Sequence, residues 1–136
     1  MSARSLPRVD VRTAALHEDA RLRGRTYAIP FEDVWQAALA LASGAQRGWT
    51  LVSADDSDGI IIADVKRRFP EAVDRVVLRV GLDANAQTRV DAEGGAWGET
   101  RLSERRTAKH LDRLFRALDR TVELTAEARQ RSAAAP

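Results

Sequence analysis

Two strands that are apolar on both faces set the strongest limit on how this chain can fold. Trp49-Thr50-Leu51-Val52 opens the first, Asp55-Asp56-Ser57-Asp58-Gly59 makes a turn, and Ile60-Ile61-Ile62 begins the return. Strict alternation puts Trp49, Leu51, Ile61, Ala63 and Val65 on one face, with Val52, Ala54, Ile60 and Ile62 on the other. A sheet with one face in water alternates apolar and polar residues more cleanly. The hairpin therefore needs cover on both sides: a helix on one, and the N-terminal segment, an extra strand or a partner on the other. That reasoning makes Ile60 and Ile62 candidate contact residues.

The flanking segments supply the rest of the layers. Arg25 to Ile29 reads as a short strand, and Pro30 suits the first turn of a helix, where its missing N–H costs nothing. Glu32 and Asp33 follow where acids favour the helix dipole. Val34, Ala38, Leu41 and Ala42 line one side of that helix, and Gly44 and Gly48 end it. Arg67-Arg68-Phe69-Pro70 breaks the strand pattern. Val73 to Leu82 then sends Val76, Leu78, Val80 and Leu82 one way and Arg75, Arg79 and Gly81 the other; Thr88, Val90 and Ala92 continue the apolar face.

Keeping those faces together requires paired residues of like parity. Setting Arg79 opposite Asp91 does so with favourable charges, whereas a two-residue slip sets Arg79 against Arg89. A last helix begins near Ser103 as N-cap, with Leu111, Leu114, Phe115, Leu118 and Val122 as its buried stripe. The order β-α-β-β-β-β-α predicts an α+β domain over residues 25–124. Two helices lie on one face of an antiparallel sheet, as in helix-grip or TATA-binding-protein-like architectures. Residues 1–24 are expected as an irregular basic arm, and 125–136 as a fraying Ala/Arg-rich tail.

Charge divides along the chain. Residues 1–25 hold six arginines against three acids, residues 26–100 seven bases against twelve acids, and residues 101–136 nine bases against five acids. A basic arm, an acidic body and a basic end suit self-association or docking on a charged surface. There is no cysteine, which excludes disulfides and thiolate metal sites. No apolar run approaches the roughly 20 residues needed to cross a bilayer. Met1 to Asp10 lacks the apolar middle of a secretory signal, so the expected location is cytoplasmic, at most peripheral to a membrane.

Chemistry-bearing motifs are few. Asp55 to Gly59 fails as a calcium loop, because Ala54 and Val65 stand where an EF-hand needs acids. The turn reading fits better. His17 and His110 lack metal spacing, and His110 with Asp112 or Glu104 reads as a helix-surface arrangement. A lone carboxylate such as Asp64 or Asp74 remains the one opening for catalysis. No Gly-x-Ser-x-Gly elbow, P-loop or Gly-x-Gly-x-x-Gly occurs. The expectation is therefore no catalytic residues, no metal and no cofactor.

Two further features point to contacts. Trp97 sits among glycines in Gly94-Gly95-Ala96-Trp97-Gly98, where an aromatic can meet a partner. Arg101, Arg105, Arg106, Lys109, Arg113 and Arg116 make the polar side of the last helix basic. No aromatic stacking platform accompanies them, which argues against nucleic acid.

Pro30-x-x-x-Val34-Trp35, Gly48-Trp49 with Val52, Gly59-Ile60, Val73-Asp74-Arg75-Val76 with Arg79-Val80, and Arg89-Val90-Asp91 resemble domain-of-unknown-function family 1499, a bacterial family. The likeness spans about residues 26–120 and includes the arginine-rich helix through Leu118-Asp119. Where that family carries Arg-Ser-x-Ser-Arg-x-Gly and Asp-Leu-Gly-x-Asn, this chain reads Glu93-Gly94-Gly95-Ala96-Trp97-Gly98-Glu99 and Thr100-Arg101-Leu102-Ser103-Glu104. The resemblance implies a fold and no activity.

The expected function is thus a non-catalytic interaction protein, an accessory or assembly subunit docking onto a larger complex, with a membrane surface as one setting. A carrier with an apolar ligand between sheet and last helix is the alternative, with Trp97 as its lid. Arginine-driven nucleic-acid binding is the second.

Overall fold

The computed structural model describes residues 11–67, 72–96 and 101–134. Its strands are β1 (Val11–Arg12), β2 (Arg25–Tyr27), β3 (Trp49–Asp55), β4 (Ile60–Arg67), β5 (Ala72–Leu82) and β6 (Thr88–Ala96). Helix α1 covers Phe31–Ala40 and helix α2 covers Arg101–Ala134. All strands join one antiparallel sheet ordered β1-β6-β5-β4-β3, with β2 also on β6. This is the expected α+β arrangement, both helices on one face.

The helix-facing side holds Ile61, Ala63, Val65, Val76, Leu78, Val80, Val90 and Ala92, all buried. Opposite them lie Val34, Trp35, Ala38 and Leu41 with the α2 stripe Leu111, Leu114, Phe115, Leu118 and Val122. Each residue of that stripe is essentially inaccessible to water. Leu114→Ala should therefore cost roughly 2–5 kcal/mol, read from chemical denaturation, because a packed site collapses only in part around a lost side chain.

The register places Arg79 opposite Asp91, as parity and charge together predict. The charges, however, pair on the diagonal. Arg79 Nη2 reaches Glu93 Oε1 at 2.7 Å, and Asp91 is held by Arg89 at 2.8 Å.

Three expectations are corrected. A bulge between Leu51 and Ser53 shifts the hairpin by one residue, so Ala54 pairs with Ile61 and leaves the face of Ile60 and Ile62. One extra residue reverses every side chain beyond it. The expected arm is not wholly irregular: Val11 and Arg12 pair with Gly94 and Glu93, and buried Leu22 anchors a 3-10 turn at Ala20–Leu22 that packs under α2. Finally, α2 does not fray at residue 125 but runs to Ala134, about 51 Å in all. Alanine, arginine, glutamate and glutamine are strong helix formers, and Arg129 meets Asp33 of α1 at 2.6 Å.

Candidate functional site

Asp74 lies on the helix-facing side of β5, opposite Val65, among residues that are otherwise apolar. Its side chain is completely buried. Arg106 of α2 donates to it through Nε at 2.9 Å and Nη2 at 3.4 Å. One turn later His110 brings Nε2 to 3.4 Å of Asp74, outside hydrogen-bonding geometry. Thr107 is buried between them in sequence, against Gly94, where an added Cβ would come within 3.4 Å of its methyl. The absent side chain at Gly94 is what lets α2 approach β6 here.

This places two sequence candidates in a new role. Arg106 is not on the solvated side of α2: it turns under the sheet because an ionised Asp74 cannot be buried without a partner. His110 faces Asp74 rather than Asp112 or Glu104; Asp112 pairs with Arg116. Nor does either carboxylate stand alone, since Asp64 is held by Arg75 at 2.9 Å. The signal for the buried pair was present in parity, as Asp74 falls in step with Val76, Leu78 and Val80. Among the described residues no His/Asp/Glu group could hold a metal ion.

A second node ties β2 to α2. Asp119 accepts from Tyr27 Oη at 2.6 Å and Arg25 Nε at 3.1 Å, while the Arg25 guanidinium lies 5.2 Å above the Phe115 ring. Burial pushes the Tyr27 hydroxyl well above its ordinary value, and the bond to Asp119 adds to that shift.

The far face of the sheet is a charge lattice. Glu93 lies between Arg12, at 2.9 Å, and Arg79, at 2.7 Å. Thr13 donates to Asp91 at 2.8 Å. Burial raises the Glu93 carboxyl, but the hydrogen bonds from Arg79 and Arg12 outweigh it and hold the group below its usual 4.5. A depressed carboxyl stabilises the fold above 4.5, and the contribution disappears as pH falls through the lower folded-state value. Glu93→Gln should accordingly flatten the loss of stability below pH 4.5, measured by urea unfolding across that range; an unchanged slope would remove Glu93 from the account.

Ile60 and Ile62 stand on this face half-buried, opposite Arg79 and Val77. Val77 is fully buried although it faces away from the helices. The apolar part of the second face is thus an island bordered by ion pairs, smaller than strict alternation implied.

The remaining candidates divide clearly. Arg105, Lys109 and Arg113 are exposed, and Arg116 and Arg120 extend the series along α2. The spacing of four, four, three and four keeps all five on one stripe, about 22 Å long. Arg116 is tied to Asp112, but the other four make no ion pair among the described residues. Arg120 lies one turn beyond the series expected from the sequence, and its neighbour Asp119 turns inward to Tyr27 and Arg25. Trp97 and the side chain of Arg101 lie outside the described residues, as does that of Ser103.

The Asp55–Gly59 turn is closed by Asp55, whose Oδ1 accepts from Ser57 N at 3.0 Å and Ser57 Oγ at 2.6 Å. Two of the open clefts among the described residues bear on these candidates. One of about 360 Å³ lies at Arg12, Thr13, Arg79 and Glu93; the other, about 310 Å³, lies at His17, Arg21, Leu22 and Arg105. The second also takes in Val11 of β1 and Ala108 of α2, so it reaches between the edge of the sheet and that helix. Among the described residues no helix is long and apolar enough to cross a membrane. Compared with family models, curated proteins and solved structures, the chain matches none of them.

Proposed function

We propose that this chain is a non-catalytic accessory subunit that docks the exposed side of α2 onto an acidic protein surface within a larger assembly. The observation carrying this reading is the stripe Arg105, Lys109, Arg113, Arg116 and Arg120 on a rigid helix whose opposite side is locked into the core. The helical backbone that carries these cations needs no folding on binding, and a one-sign field speeds encounter with an acidic partner. The engagement of Asp74 with Arg106 supports a non-catalytic role, because it holds a fully buried acid in a structural contact. The proposed setting is cytoplasmic and peripheral to any membrane.

Purification of the tagged native chain, compared with an Arg105→Glu/Lys109→Glu/Arg113→Glu variant, tests the reading. The partner should be lost from the variant, whose stability should stay within about 1.5 kcal/mol because the changes are exposed. Recovery of the same partners by both chains would sink the proposal. So would retention of the native chain on DNA with steep salt dependence, or its capture by anionic vesicles without protein.

A further inference from the structure

The sheet has two edges. One is made of the short strands β1 and β2, which lie end to end along β6. The other is β3, which among the described residues pairs only with β4. Between Thr50 and Ala54 this edge carries no charge and no proline, and Thr50, Val52, Ser53 and Ala54 are exposed. Exposed edge strands are usually guarded by charge, by proline or by a bulge. Here the strand itself is guarded by the bulge at Val52 and by Asp55 at its end.

The two ends of β3 carry opposite charge. At its C-terminal end stand exposed Asp55, Asp56 and Asp58. At its N-terminal end stands exposed Arg47, with Lys66 beside it through the bond from Lys66 N to Gly48 O at 3.0 Å. An acidic end and a basic end on one strand are self-complementary when two copies run antiparallel. A two-fold axis between Val52 and Ser53 brings the acidic end of one copy beside Arg47 of the other, and repeats that approach on the far side. Parallel pairing would oppose like charges at both ends and is disfavoured.

We propose that the open edge of β3 is a homodimer interface, at which a second copy of this chain pairs antiparallel to join the two sheets. Val52, 41% exposed, sits beside the axis and meets its symmetry mate. Such a two-fold contact is isologous and closes on itself, so it yields a dimer rather than a fibre. It engages one strand from each side and so falls in the small, transient class of interfaces. The surface is separate from the basic stripe of α2, and the two readings stand or fall independently.

Sedimentation of the full chain over a wide concentration range is the test. The native chain should dimerise reversibly at low salt and less so as salt rises, because the end charges are exposed. Arg47→Asp and Asp58→Arg should each weaken the dimer by about tenfold, since each change reverses one charge at both ends of the interface. The combined variant should return close to native affinity, an outcome that general damage to β3 does not produce. Val52→Lys, which brings two ammonium groups to the axis, should leave a folded monomer by circular dichroism. A chain that stays monomeric at the highest concentration overturns the proposal. So does a dimer indifferent to Val52→Lys, or one not rescued by the charge swap. The α2 charge-reversal variant should dimerise normally, so loss of the docking partner and loss of the dimer are read separately.

Discussion

Gly59→Ala is expected to lower the stability of this protein by roughly 3–5 kcal/mol, combining left-handed backbone strain with overpacking. Gly59 ends the acidic turn with φ at +69° and accepts a hydrogen bond from Val80 N at 2.7 Å. A Cβ there would lie 2.0 Å from the Val80 carbonyl oxygen, which belongs to the backbone of β5 and cannot rotate away. The chain must then either pull the turn off β5 or distort the central strand. Urea unfolding reads the loss directly. A midpoint equal to that of the native protein would mean that the turn does not rest against Val80.

Arg106→Leu should cost about 3–5 kcal/mol, because it withdraws a cation from a carboxylate that has no access to water. The informative comparison is with Asp74→Leu/Arg106→Leu. Replacing both members of a buried ion pair by apolar groups is often close to neutral. The double variant should therefore recover much of the single variant's loss. A double variant as unstable as the single would show that Asp74 holds more than α2 in place.

The sequence carried the sheet better than it carried the contacts. Parity and charge together set the β5–β6 register: Val76, Leu78 and Val80 must share a face with Val90 and Ala92, and opposing Arg79 to Asp91 avoids Arg89. They could not choose between straight and diagonal charge partners, since Arg79 reaches both Asp91 and Glu93, and the buried acid took the pair. The bulge at Val52 left no mark in the pattern, because alanine at position 54 fits either face. Position 106 was ambiguous for a similar reason. It borders the apolar stripe of α2, and only the buried Asp74 across the layer decides which way the arginine turns. The series from Arg105 to Arg113 was legible in full, being a matter of helical spacing. The join of Val11 and Arg12 to the sheet was not, since two residues carry no period.

The pairing of β1 and β2 with β6 also sets an order of events during synthesis. Val11 pairs with Gly94 and Arg25 with Val90, so neither segment has a strand to join until β6 has left the ribosome. Strands β3, β4 and β5 can form a local meander earlier, each pairing with its neighbour in sequence. Strands β1 and β2, made before the other four, are then among the last to be fixed. These long-range closures, rather than the helices, should limit the rate at which the native state forms.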